Sequence, residues 1–428
     1  MQPKLIVKKR GNMPHKIIIC LAAICFLVTN PEGVKAAENP MKDLPEAHYI
    51  GYKVVHHMAA VVDHLEKFGV NTFEHPPVGD HRSFVISPAL DHFYSKAVVD
   101  VRFGPVVIET PARDERYASI QIFDMEHYSI YDKITAKDGE RFVLVHEDYT
   151  GKLPTGTVVK TQSNFPFIFI RTQTFSFNDD KLADAIRQQA KISGASEPID
   201  LPSTGNTQAL IKWTIDNKKG YMKTKTLMAQ AAKIYTPELH KQTYKHLAAF
   251  AGSGGLVGNV GMFESVDHPS GGTSKIRAAG ALMGHLGLPV HHAYYQPMTI
   301  DVNGNILTGK NGPFALTLPY ESGVKQFWSV TRYGSKTFLP LNPAKIGGND
   351  IQAFNTFNMK PDDKGNITIT FAVTDPKDGT YWMPVTEGGY YIMLRYYGPS
   401  KSLNGNTIFD IAYKGTKFEE KFRPVSFK

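Results

Sequence analysis

Between residues 327 and 399 the chain sets runs of β-branched and aromatic residues between Gly, Pro and Asn. The runs are Phe327-Trp328-Ser329-Val330-Thr331-Arg332-Tyr333, Tyr381-Trp382-Met383-Pro384 and Tyr390-Tyr391-Ile392-Met393-Leu394-Arg395-Tyr396-Tyr397-Gly398-Pro399. Side chains of this kind pack well on a pleated surface, so the stretch predicts strands of a packed β domain. Strands this apolar need cover from a second sheet, which narrows the architecture to an antiparallel sandwich of jelly-roll type.

An earlier region carries the same succession of signals. Gly104-Pro105 with Pro111 answers Gly312-Pro313 with Pro319, each second Pro lying seven residues after its Gly. Tyr117-Ala118-Ser119-Ile120-Gln121-Ile122-Phe123 answers residues 327–333. Asp138-Gly139 before 142–145 answers Lys364-Gly365 before 367–371. Leu153-Pro154 answers Met383-Pro384, and Phe167-Ile168-Phe169-Ile170-Arg171 answers Tyr391-Ile392-Met393-Leu394-Arg395. One such match is ordinary in a β protein. Five in the same order predict an internal duplication, with Ser119 equivalent to Ser329 and Arg171 to Arg395.

Between the two β regions the texture is helical. Residues 180–192, 210–234, 237–251 and 275–286 carry helix formers at helical spacing, and Thr236-Pro237-Glu238 is a helix-start signal. A further helix is expected at 46–68, where Tyr49, Tyr52, Val55, Ala59, Val62 and Phe68 recur on one face before Gly69. At 428 residues the chain is too long for one core. The expected organisation is therefore a leader over 1–36, an N-terminal helix and first sandwich over 37–177, a helical linking region over 178–290, and a second sandwich over 291–428.

The leader reading rests on Lys4, Lys8, Lys9, Arg10 and Lys16 followed by an apolar stretch at 17–28, too short to span a bilayer, and by Val34-Lys35-Ala36. Cleavage after Ala36 removes both cysteines, Cys20 and Cys25, so the mature chain has no disulfide and no thiolate chemistry although it enters the periplasm or the medium. The leader also holds six of 48 basic residues and one of 40 acidic ones. The remaining 42 against 39 lower the formal charge from +8 to +3, which removes the case for a nucleic-acid partner. No later run is long enough for a membrane helix.

Trp328-Ser329-Val330-Thr331, Asn342-Pro343, Trp382-Met383-Pro384 and Leu394-Arg395-Tyr396 resemble one family pattern. So do Asn71, His75, Asp91, Tyr94-Ser95, Gly104-Pro105, Arg116-Tyr117 and Asp124 nearer the N-terminus. The pattern is similar to that of exported bacterial proteins that pair two domains of unknown function, numbered twelve-fifty-four and twelve-fourteen. The resemblance implies export, two β domains and a helical middle, and no settled activity. The chain departs from the pattern at Ala89, where the family tends to carry Asn, and at Tyr381, also usually Asn.

No chemistry is announced by a motif. There is no Gly-x-Ser-x-Gly, and the glycine loop at 252–258 lacks a P-loop ending. His57 and His64 share a helix face, but no His-Glu-x-x-His spacing exists, and the expectation is no metal site. The residues leave open whether the chain is an enzyme, and they name no cofactor. The strongest lead is an excess of aromatic residues together with Arg171 and Arg395, which suit a flat or carboxylate-bearing ligand. Because duplicated domains commonly bind a ligand where they meet, Asp91, Tyr94, Arg277 and Tyr295, with Trp328 or Arg395, are expected to line one cleft holding a small organic or carbohydrate-like molecule. The competing expectation is a non-catalytic envelope or surface protein that binds partners through its helical middle. Oligomeric state is not legible.

Overall fold

The computed structural model describes residues 42–83, 86–175, 179–252, 256, 258–269, 271–301, 303–321, 323–348, 351–399, 402–403 and 406–407. The expected leader, both cysteines, Ser253 and Gly254 lie outside these residues.

The chain opens with α1 (Glu46–Phe68), the span its periodicity predicts, ended by Gly69 at φ 79°. The first β region follows as β1 (His92–Val98), β2 (Val106–Thr110), β3 (Ala118–Phe123), β4 (Ser129–Ile134), β5 (Glu140–His146), β6 (Thr157–Thr161) and β7 (Phe167–Gln173). The middle holds α2 (Asp180–Arg187), β8 (Lys191–Ser193), α3 (Thr207–Asp216), α4 (Lys225–Ile234), α5 (Pro237–Gly252) and α6 (Ser274–Gly284). The second β region is β9 (Ala293–Met298), β10 (Phe314–Pro319), β11 (Val324–Gly334), β12 (Ala353–Asn355), β13 (Asn366–Ala372), β14 (Tyr381–Pro384) and β15 (Tyr390–Pro399). Among the described residues no helix is long and apolar enough to cross a membrane.

Each β region is two sheets around one core. In the first, sheet β1-β7-β3-β4 faces sheet β6-β5-β2-β8 across Ala97, Ile120, Ile122, Ile168 and Ile170 on one side and Val106, Ile108, Phe142, Leu144 and Val159 on the other. In the second, sheet β12-β11-β15-β9 faces β10-β13-β14 across Trp328, Val330, Ile392 and Leu394 against Leu316, Ile369, Phe371 and Met383. The two orders superimpose strand for strand: β1, β7, β3 and β4 on β9, β15, β11 and β12, and β2, β5 and β6 on β10, β13 and β14. Both copies contain one parallel pair, β5 with β6 and β13 with β14, in otherwise antiparallel sheets. A shared exception of this kind argues for duplication more strongly than shared antiparallel pairs do.

Register fixes the correspondence to the residue. Ser119 pairs with Arg171 and Arg171 with Tyr94; Ser329 pairs with Arg395 and Arg395 with Tyr295. One expected equivalence is corrected. Through β2–β5–β6 and β10–β13–β14 the counterpart of Met383 is Val159, both buried in the sandwich cores, and Leu153-Pro154 precedes β6.

The helices form a layer, not a tether. α1 packs with α3, α4, α5 and α6 and presses Tyr52, Val54, Met58, Val61 and Leu65 into one cluster with Val98, Phe123, Phe167 and Phe169 on the outer face of the first sheet. In the segment expected to be helical, β8 pairs with β2 and belongs to the first sandwich. The helix expected over 210–234 is two, separated at 217–224 by a turn whose Lys218 and Tyr221 reach buried carboxylates of the β3–β4 turn.

Candidate functional site: a buried polar junction between the two sandwiches

Strand alternation sends every second residue of the two equivalent sheets away from its own core. Around β3, β7 and β1 these include Tyr117, just before β3, with Ser119, Arg171 and Tyr94. On β11, β15 and β9 they are Phe327, Ser329, Arg395 and Tyr295. The two outer faces meet. Tyr117 lies 5.8 Å, centre to centre, from its counterpart Phe327 and 5.5 Å from Tyr397, and His92 lies 4.8 Å from Tyr397. An apolar cluster of Tyr117, Leu288, Ala293, Phe327 and Tyr397 seals this contact.

The junction also buries charge. Arg395 is 5% exposed and donates to Thr331 Oγ1 at 2.6 Å and to the Ser87 carbonyl at 2.7 Å. Arg171 is 4% exposed and donates to Gln121 Oε1 at 3.0 Å and to the Leu286 carbonyl at 2.5 Å. Among the described residues neither guanidinium has a carboxylate within salt-bridge distance. Asp91 is the nearby acid. His92 Nδ1 lies 2.8 Å from its Oδ1, yet neither Asp91 oxygen has a well-aligned hydrogen-bond partner. Burial pushes the Asp91 carboxyl up, but His92, Arg395 and Ser329 outweigh it and hold it below the ordinary range. For Arg395 burial works against the charge, and Tyr333, Tyr397, Asp91 and Tyr94 raise its pKa despite that. Tyr94 and Tyr295 are pushed up by burial, and each feels both arginines, Arg171 more than Arg395.

Well-aligned partners are also missing for both ring nitrogens of His92, for the hydroxyls of Tyr117, Ser119 and Ser329, and for Gln173 Nε2. Buried polar groups in this state cost about 1–3 kcal/mol each, so a cluster of them needs an explanation.

Of the six residues expected in one cleft, the junction gathers Asp91, Tyr94, Tyr295 and Arg395. Two are elsewhere. Trp328 is fully buried and turned into the second sandwich core, its Nε1 donating to the Tyr320 carbonyl at 2.8 Å. It sits one residue off the outward register, and Ser329 takes that place. Arg277 is held on α6 by the carbonyls of Glu264, Ser265 and Gly272 and lies over the Tyr128 ring. It belongs to a second buried polar centre, under the helices. There Asp124 accepts from Tyr221, Glu126 accepts from Lys218 and Thr224, and the Lys53 ammonium sits 3.3 Å over Tyr128 without a hydrogen-bond partner. The expected cleft is also closed, because the segment before β1 crosses it through Ser87, Pro88 and Leu90.

Arg171, expected with Arg395 to suit a carboxylate but not placed among the six cleft residues, lies at the junction, and so does Ser119, which the sequence marked only as the equivalent of Ser329. Sequence reasoning passed over two groups of converging ligands. One is Asp132 with His291 and His292, both Nε2 atoms 2.7 Å from Asp132 Oδ1. The other is His57, His127 and His285. No spacing motif signals either, since each is assembled from distant segments.

Fold and junction define a two-sandwich protein built by duplication, with a helical layer and a polar centre between the copies. Residues 70–194 match the family described as Protein of unknown function (DUF1254), and residues 292–401 match Protein of unknown function (DUF1214). The chain belongs to the proteins that pair these two domains. A crystal structure of a protein from Vibrio parahaemolyticus is similar at a TM-score of 0.62 and 20% identity, covering 83% of this chain and 94% of that one. A putative uncharacterized protein from Burkholderia cenocepacia aligns at a TM-score of 0.47 and 14% identity, over 85% and 89% of the two chains. No curated protein matches the chain.

Proposed function

We propose that the junction between the sandwiches binds a small organic or carbohydrate-like ligand that carries a carboxylate. One observation carries this reading: two buried guanidiniums with no carboxylate in salt-bridge reach, beside polar atoms that lack aligned partners. Uncompensated buried charge is costly, and an anion that accepts from both arginines offsets that cost. Tyr94, Tyr117 and Tyr295 supply flat faces and hydroxyls for the rest of such a molecule. Entry requires the crossing segment at Ser87 to lift, because its carbonyl occupies Arg395. The reading places this protein in the periplasm or the medium, on the strength of the basic and apolar leader over 1–36. N-terminal sequencing of material from the envelope fraction tests that, with Ala37 expected first.

The binding test is calorimetric titration of glucuronate, benzoate and their neutral counterparts, glucose and benzyl alcohol. Acids alone should bind, and Arg171→Gln and Arg395→Gln should each weaken them at least tenfold. Equal binding of acids and neutral compounds, or arginine variants with unchanged affinity, would refute the reading. The alternative, a partner surface on the helical layer, draws on Met222, 91% exposed in the turn between α3 and α4, and on exposed Ile215 of α3.

A further inference from the structure

The three imidazoles of His57, His127 and His285 meet from α1, the β3–β4 turn and the C-terminal end of α6. Their ring centres form a nearly equilateral triangle: 5.0 Å between His57 and His127, 5.2 Å between His57 and His285, and 5.1 Å between His127 and His285. A ligating nitrogen sits about 2.1 Å from zinc and the ring centre about 1.1 Å further out, so imidazoles on a tetrahedral ion have centres about 5.2 Å apart. All three sides of the triangle meet that value.

Ring packing alone does not account for the arrangement. His57 Nδ1 and His285 Nε2 are 3.0 Å apart, and a hydrogen bond between them would satisfy those two rings. It leaves the third unexplained. His127 is 2% exposed, its Nε2 takes only a long 3.4 Å contact from the Leu286 amide, its Nδ1 is buried with no hydrogen-bond partner, and its backbone takes φ 63°, a left-handed conformation unusual for a residue with a side chain. His57 carries a further mark of a metal ligand. Its Nε2 lies 3.1 Å from the Asp124 carbonyl, which orients the ring and leaves Nδ1 with its lone pair.

We propose that His57, His127 and His285 bind one divalent transition ion of the zinc class, leaving one coordination position for water or another exchangeable ligand. The ion ties α1 and α6 to the β3–β4 turn and so joins the helical layer to the first sandwich. This site is distinct from the arginine junction, and neither proposal depends on the other.

The test uses the full chain, stripped with chelator, dialysed and titrated with Co2+ and Zn2+. One equivalent of Co2+ should give the intense visible bands of a tetrahedral ion, Zn2+ should displace it, and either metal should raise the melting temperature. His127→Gln and His285→Gln should lose the bands. Asp132→Asn, which disables the other candidate ligand group, should keep them. Where the histidine variants fail to fold, X-ray absorption on the zinc-loaded wild-type protein decides by counting ligands: three imidazoles uphold the site, and two with a carboxylate overturn it. Absence of stoichiometric binding, or loss of the bands in Asp132→Asn alone, also overturns it.

Discussion

The two sandwiches share a strand order, one parallel pair and a register, yet they differ where their outer faces meet. The first copy places Gln121 beside its arginine, and the second places Thr331 there. Asp91, just ahead of β1, has His292 ahead of β9 as its counterpart; each carbonyl accepts from the equivalent amide, Thr174 and Gly398. The negative group therefore falls near Arg395 while Arg171 is left among neutral acceptors. The cores differ too: Trp328 fills the place that Ala118 holds in the first copy. Duplication supplied a matched frame, and the chemistry lies in what is no longer matched.

The largest effect belongs to that core difference. Trp328→Ala removes a fully buried ring that the first copy does without, and should cost about 3–5 kcal/mol in urea unfolding. Ala118→Gly, at the equivalent place, should cost far less. Similar losses would mean the two cores share the load in a way the packing does not indicate. Ligand affinity measured on folded Trp328→Phe protein should stay unchanged, since this ring faces away from the junction.

Next comes the pair of arginines. Arg395→Met removes the charge that helps hold the buried Asp91 carboxylate ionised and also leaves Thr331 Oγ1 and the Ser87 carbonyl without their donor, so it should cost more than the same change at Arg171. Arg171→Met strands neutral acceptors, Gln121 Oε1 and the Leu286 carbonyl, for about 1–3 kcal/mol. Equal costs would show that Asp91 is not specifically tied to Arg395.

Asp91 also sets a pH dependence. Its folded-state pKa is depressed, so the unfolded chain binds the proton more readily. The stability it contributes is present above the unfolded value of about 3.9 and is lost as pH falls through the folded value. Asp91→Asn should flatten the acid limb of the stability profile below about pH 4 relative to wild type. An unchanged limb would mean that this carboxyl titrates alike in both states.

How far the sequence was legible follows the same division. α1 and four of the five blocks of the repeat were visible because they rest on local periodicity and turn residues. β4, β6 and β8 were not: Ser129-Ile130-Tyr131-Asp132-Lys133-Ile134 and Thr157-Val158-Val159-Lys160-Thr161 are half exposed and carry weak patterning, and Lys191-Ile192-Ser193 is too short to register. Asp91, Tyr94 and Tyr295 could be placed by asking where the chain enters each sandwich. Trp328 and Arg277 could not, because a one-residue change of strand face and a set of carbonyl partners leave no mark in composition. His127 was invisible for the same reason: a lone histidine in a turn gains meaning only from rings 70 and 158 positions away.

The smallest effect separates an empty junction from an occupied one. Ser119 and Ser329 are equivalent, both fully buried, and neither hydroxyl has a well-aligned partner. In ligand-free protein, Ser119→Ala and Ser329→Ala each remove a buried hydroxyl that lacks an aligned partner, so neither should destabilise and each should gain up to about 1 kcal/mol. With a carboxylate ligand bound, a hydroxyl that donates to it would contribute about 0.5–1.5 kcal/mol, and the alanine variants should lose that part of the ligand-induced stabilisation. Ser329 lies beside Asp91, whose charge competes for its proton, so Ser119 next to the unneutralised Arg171 should show the larger loss. Equal losses at both serines would mean that the ligand sees the junction as symmetric, and that the asymmetry of Asp91 and His292 shapes stability without shaping recognition.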